Sequence, residues 1–367
     1  MKIRVNINPD TQTALLSKTS WLPVPNPLIR GGMTAGQEER ETEKARTNGK
    51  VGEKVKAAGK VQATGKVQAT GKVQEILDEI SGLVGLQEIK ALIHELRSFV
   101  EIRQLRDKEG LINEPMALHM IFKGNPGSGK TTVARLIGRL FKELGVLPKG
   151  HIVEVERADL VGEYIGHTAV KAREQVKKAL GGVLFIDEAY SLARGGEKDF
   201  GKECIDCLVR AMEDHRDSLI LILAGYKDEM DYFLHCNPGI RSRFPIQLEF
   251  PDYTTAELLA IADAMVAQRQ YRMSGEARLT LRNFLLHQEK FGHRHRGNAR
   301  LVRNIAEKAI RRQAVRLLHA YDYPKISREA LMTLEAQDML EGCNLAGLEP
   351  PTLGDASSLV SAFKPRR

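Results

Sequence analysis

Cysteine is scarce: Cys204, Cys207, Cys236 and Cys343 are the only four, and their spacing is irregular. They cannot staple a disulfide-rich secreted domain, and a reducing, cytoplasmic setting is the simplest fit. Long apolar runs are lacking too. No stretch of the sequence approaches the roughly 18 residues of a membrane helix, so no integral membrane segment is expected. The first residues carry Lys and Arg but no apolar core before a small-residue cleavage site, so no secretory signal is expected. Basic excess is missing from the part that should fold. The net charge is +8, yet residues 1–72 hold 13 Lys/Arg against 6 Asp/Glu, residues 347–367 hold 3 against 2, and 39 of each remain between. A nucleic-acid surface on the folded part is thereby disfavoured, and the basic tails read as solvated segments.

At 367 residues with 42% hydrophobic content, the chain can form two domains plus tails. Residues 1–74 read as a disordered N-terminal region. Prolines at 9, 23, 25 and 27 break its start, and the hexapeptide Gly-Lys-Val-Gln-Ala-Thr at 59–64 recurs at 65–70 and restarts at Gly71. These copies are too short to stack as a solenoid and read as a linker. Order is expected near Glu75, where Ile76, Leu77 and Ile80, then Leu86 to Val100, fall at helical spacing. Strand-like runs at 118–123, 152–155, 183–186, 219–223 and 246–250 alternate with helical stretches. That alternation predicts an α/β domain over 75–250, a parallel sheet flanked by helices. Residues 254–270, 275–290 and 298–319 read as helices of a smaller α-helical domain over 251–346, and 347–367 as a loose tail.

Gly124-Asn125-Pro126-Gly127-Ser128-Gly129-Lys130-Thr131 fits the phosphate-binding P-loop pattern, between a predicted strand and a predicted helix. Backbone N–H groups of such a loop close around phosphate oxygens, and the helix N-terminus adds positive potential. Lys130 is expected to reach the β/γ-phosphates and the Thr131 hydroxyl to ligate Mg²⁺, with Thr132 beside it. Val183-Leu-Phe-Ile-Asp187-Glu188 is the second signal. A buried strand ending in two carboxylates places them at the sheet's C-terminal edge, beside the phosphates. Asp187 is expected to hold the Mg²⁺ hydration shell and Glu188 to orient and deprotonate the attacking water. The two motifs together point to ATP and Mg²⁺.

Here the sequence resembles the AAA+ ATPases over roughly residues 75–325, and more narrowly the subgroup that includes stage V sporulation protein K and the red-type Rubisco activase. The resemblance is carried by Leu83-Val-Gly-Leu86, the two motifs above, 159–168, Leu223 to Tyr226, Asn237-Pro-Gly, Ser242-Arg-Phe and Phe250-Pro-Asp-Tyr253. The stretches 154–159 and 195–202 pull it towards the sporulation protein. The resemblance implies a P-loop NTPase domain followed by a helical lid, working as a homo-oligomeric ring, six subunits being the expected size, on a protein substrate. It implies that Val84 and Gly85 line the adenine pocket and that Arg243 is an arginine finger acting on a neighbouring subunit, with Arg241 as the alternative. It implies that Arg300 is the sensor 2 arginine. Tyr164-Ile165-Gly166 matches the loop that lines the ring's pore and grips a polypeptide.

One departure stands out. Many AAA+ proteins end the fourth strand in Asn, Ser or Thr, whereas this chain has Ala224-Gly225-Tyr226, leaving Tyr226 as the only sensor 1 candidate there. Two tempting sites are set aside: Cys204-Ile-Asp-Cys207 reads as helix packing, and His293-Arg-His295 as a basic loop. No His-Glu-x-x-His occurs, so cleavage of a protein substrate is not expected. Two alternatives remain: a Rubisco-activase-like remodeller, marked by stimulation with a sugar bisphosphate, and a DNA-associated assembly switch, marked by steeply salt-dependent DNA binding.

Overall fold

The computed structural model describes residues 71–113, 117–164, 166–194, 200–291, 297–320 and 326–344. Helix α1 (residues 71–81) opens within the third hexapeptide copy, ahead of the order expected at Glu75. The reason is periodicity: Val73 shares a face with Ile76, Leu77 and Ile80, and all four are buried. The first two copies lie outside the described residues. Helix α2 (Gln87–Lys108) follows and buries Ile89, Ile93, Leu96 and Val100.

The sheet has five parallel strands, β1 (Met120–Gly124), β2 (Ile152–Val155), β3 (Val183–Ile186), β4 (Ile220–Gly225) and β5 (Ile246–Phe250), in the order β2-β3-β4-β1-β5. Strand β4 runs past Leu223 because its pairing with β1 continues to Lys123 opposite Gly225. Strands β1 and β3, covered on both faces, are buried throughout, whereas edge strand β5 alternates buried and exposed residues. Connections run through α3 (Lys130–Glu143), α4 (Arg157–Leu160), α5 (His167–Ala179), α6 (Gly201–Asp214), α7 (Lys227–Cys236) and α8 (Pro238–Arg241). Lys123 is a buried charge within β1, and its Nζ is satisfied by Asp231 at 2.6 Å and Gln247 Oε1 at 2.8 Å.

His119, 3% exposed, precedes β1 with its ring against Phe244, and its Nδ1 accepts from the Leu221 N–H at 3.1 Å. Burial pushes its pKa down from 6.5 to about 4. The unfolded chain therefore takes up this proton first. The neutral ring's contribution is complete above pH 6.5 and is lost as pH falls towards 4, by about 3 kcal/mol. Urea unfolding at pH 7 and pH 4.5 should show that loss in the wild type and lack it in His119→Gln.

Beyond β5 the chain is helical. Thr254 opens α9 (Thr255–Gln268) with a capping box to Glu257. Then come α10 (Gly275–Phe291), α11 (Asn298–Ala320), α12 (Arg328–Met332) and α13 (Ala336–Asn344). A parallel pair, β6 (Arg272–Met273) with β7 (Thr333–Leu334), ties the lid together. At two residues each, those strands leave no alternation for sequence reading to find. Asp338 of α13 is buried against Arg316 of α11 through two 2.8 Å bonds. One core lies under α1, α2 and α3 and runs on into the lid through Tyr253 and Leu258; the other lies under α5, α6 and α7.

Candidate functional site

The glycine-rich loop leaves the C-terminal end of β1 and enters α3. Gly129 is the N-cap of α3 at φ 99, a left-handed conformation that a side chain would strain. Ser128 is buried, with its hydroxyl bonded to Asn125 O at 2.8 Å. Lys130 Nζ donates to the carbonyls of Gly124 (2.8 Å) and Asn125 (2.9 Å). Burial lowers the Lys130 pKa, while Asp187, Asp252 and Glu188 oppose that shift, so three carboxylates face this cation. Those carboxylates help keep it charged, as an anion-binding lysine requires.

A cleft of about 380 Å³ opens over this loop, within the size range of small-ligand sites. Pro126, Gly127, Gly129, Lys130, Thr131 and Thr132 form its floor, with Asp187 beside them. Leu83 and Val84, and across from them Ile261 and Met265 of α9, make its apolar end. Gly85 sits against the lid, since an ideal Cβ there would lie 2.5 Å from Glu257 Oε1. Arg300 and Arg303 line the cleft from α11.

Strand β4 lies between β1 and β3, so the ends of all three strands are adjacent. Asp187 is half-buried just after β3 and bonds the Glu188 N–H at 3.0 Å. Glu188 has φ 47, an uncommon conformation for a non-glycine residue, and this turn leaves it exposed. Tyr226 follows β4, its ring tilted against that of Tyr190 with centroids 5.9 Å apart. Its hydroxyl pKa is raised by burial first, then by Glu188, Glu229 and Asp187, while Arg300 lowers it. Thr131 and Asp187 are hard oxygen donors lining one cleft, and no group of three or more His, Cys, Asp or Glu forms among the described residues. That donor set fits Mg²⁺, which binds through one or two protein oxygens plus phosphate and water.

Arg243 is outside this cleft. Its Nε and Nη2 bond Glu213 Oε1 at 3.1 and 2.5 Å, its Nη1 bonds Gly239 O at 2.8 Å, and its side chain is 36% exposed. It lines a second cleft of about 440 Å³ with His119, Glu213 and Arg216. Arg241 is exposed on α8. Tyr164 is 66% exposed between α4 and α5, its ring edge-on to His167, and Gly166 caps α5 at φ 82. The base of that loop is pinned by Gly162 N–H on the buried Thr168 hydroxyl at 3.0 Å. Ile165 lies outside the described residues, as do His293 and His295. Cys204 is fully buried and its thiol is pushed up to about 12 by burial, which suits packing rather than redox chemistry.

Sequence reading placed Asn125 in the phosphate loop but missed the bonds that join loop to lid. Asn125 Nδ2 bonds both oxygens of Asp252 at 2.9 and 3.0 Å, Asn298 Nδ2 bonds Asp252 Oδ1 at 2.8 Å, and Tyr253 OH bonds Ser128 O at 3.1 Å. Asp252 and Tyr253 lie within a string that carried the resemblance, and Asn298 stands two residues before Arg300. Arg303 is one helical turn beyond Arg300, and that spacing could have found it.

A P-loop at the end of one parallel strand, an acidic pair at the end of another and a helical lid closing the cleft define a nucleotide-hydrolysing machine. The model of the ATPase family associated with various cellular activities (AAA) matches residues 120–252, and that of the AAA lid domain matches 254–344. The chain belongs to the AAA family and is an ATP hydrolase. It is 55% identical over 272 residues to stage V sporulation protein K of Bacillus subtilis (strain 168), covering 72% of this chain and 82% of that protein. It is 45% identical over 270 residues to the chloroplastic ribulose bisphosphate carboxylase/oxygenase activase of Cyanidioschyzon merolae, covering 73% and 91%. To protein CbbX of Cereibacter sphaeroides it is 46% identical over 268 residues, covering 72% and 86%. No helix among the described residues is long and apolar enough to cross a membrane.

Proposed function

We propose that this ATPase is a protein remodeller working in the cytoplasm as a homo-oligomeric ring, six subunits being the expected size, with nucleotide at the subunit interfaces. The α/β domain, from helix α1 at residue 71 to residue 250, and the lid over 251–346 are its moving parts. Loop amides at and after Gly127 and the Lys130 ammonium hold the phosphates, with Gly124, Asn125 and Pro126 shaping the loop, and Val84 and Gly85 hold the base. Thr131 and Asp187 would hold Mg²⁺, which when bound neutralises charge on the β- and γ-phosphates. Glu188 takes a proton from the water that attacks the γ-phosphorus, the bond to the bridging oxygen breaks, and ADP leaves. Arg243 acts on the neighbouring subunit's site; its position outside its own cleft and its partly exposed side chain support that assignment. Arg300, bridging lid and loop, turns loss of the γ-phosphate into lid movement.

Exposure of Tyr164 on a pinned loop with a left-handed glycine beside it carries the protein-substrate reading. An aromatic ring there can grip many side chains without specificity. Addition of casein as an unfolded polypeptide should stimulate turnover in the wild type. In Tyr164→Ala that stimulation should disappear, and a variant stimulated as strongly as wild type would contradict the assignment. Higher identity to the sporulation relative than to the activase favours a role in spore formation. Stimulation of turnover by ribulose bisphosphate would instead favour the activase reading.

A further inference from the structure

The first turn of α11 is bonded to the phosphate loop itself. The Ala299 N–H donates to Gly127 O at 3.2 Å. An ideal Cβ on Gly127 would lie 2.5 Å from Gly297 O and 2.8 Å from Arg300 N, so loop and helix are in backbone contact. Asn298, 1% exposed and at φ 43, reaches three neighbours. Its Nδ2 donates to Asp252 Oδ1 at 2.8 Å and to Pro126 O at 3.4 Å, and its Oδ1 accepts from the Tyr253 N–H at 3.1 Å. Asp252 in turn receives both bonds from Asn125 in the loop. Loop, strand-to-lid junction and lid helix thus share one half-buried polar network with a charged centre. Burial makes such a network sensitive to the loss of any member. The left-handed conformation explains an asparagine at this position, since Asn and Asp tolerate it better than most residues.

We propose that Asn298, Asp252 and Asn125 are positioning residues forming a clamp through which occupancy of the phosphate loop sets the position of the lid. The proposal rests on the lid-movement reading above and names the parts that transmit it in addition to Arg300. When phosphate reorganises the loop around Asn125–Gly127, the first turn of α11 must follow, because its backbone and side-chain partners are in that loop and its junction. A network that only held the fold together would lower stability without altering the lid's response to nucleotide.

The full chain carrying Cys207→Ser and Cys236→Ser, with labels at Glu174→Cys on α5 and Arg282→Cys on α10, reads that response as a distance with and without saturating ADP. Asn298→Asp keeps the shape and the tolerated backbone but sets two carboxylates against each other. It should weaken ADP binding about tenfold, the order expected for a lost hydrogen bond to a charged group. At saturation it should abolish the ADP-dependent distance change. Adding Asp252→Asn restores an amide–carboxylate pair with the roles exchanged, and should restore the change. If Asn298→Asp does not fold, Asn125→Ala breaks the clamp from the loop side and should uncouple the lid equally. A wild-type response retained in the single variants, or not restored in a folded double variant, overturns the clamp. A wild type whose distance ignores ADP overturns the lid-movement reading, and the clamp with it.

Discussion

Turnover in Glu188→Gln is expected to fall by roughly 10²–10⁴, the contribution of a positioned general base, while ATP still binds. Gln preserves the size of the side chain and leaves the Asp187 bond to the residue-188 amide intact. What it removes is the acceptor for the water's proton. Binding should be kept, because the contacts proposed to hold the phosphates belong to the loop and Lys130. The variant should therefore accumulate as ATP-bound assemblies, visible by light scattering. Phosphate release and calorimetric ATP titration separate the two effects. Wild-type turnover in Glu188→Gln would remove this residue from the base role.

Arg243→Ala should lose roughly 10³–10⁵ in turnover, the span attributed to an arginine that offsets transition-state charge. The fold should survive the change. Its partner Glu213 is exposed, and an exposed ion pair contributes at most about 1 kcal/mol. Thermal melting of the variant should thus match the wild type closely, which makes the loss of turnover a statement about chemistry. Arg241→Ala is the companion variant: the finger is whichever residue's removal stops turnover with the melting point kept. The Glu213 contact adds a condition, because Arg243 must leave this carboxylate before it can reach a neighbour's phosphate.

Much of this architecture was legible because period and motif agree. The runs at 152–155, 183–186 and 246–250 are strands at those limits, and the glycine-rich loop sits at the predicted strand-to-helix turn. Other features were hidden for physical reasons. Helix α1 took in Val73 because one more apolar residue on its face outweighed the repeat's linker-like composition. The left-handed turn at Glu188 leaves no mark on composition. Asn125, Asp252 and Asn298 are 127 and 46 residues apart along the chain, and only the folded sheet and lid bring them together. The bond between Arg243 and Glu213 spans 30 residues and likewise exists only because the fold brings the end of α6 to the turn after α8.

A mixing experiment tests the ring mechanism most directly. Lys130→Ala lacks the lysine proposed to bind phosphate but keeps Arg243, and Arg243→Ala keeps that lysine but lacks the proposed finger. Each alone should be inactive. Mixed in equal amounts, they should recover about a quarter of wild-type turnover, because random assembly through heterologous interfaces pairs an intact loop with an intact neighbouring arginine at that frequency. A mixture as inactive as its components, with both shown to co-assemble, would contradict an arginine supplied in trans, and Arg243→Ala hydrolysing ATP normally on its own would make this protein a cis-acting switch.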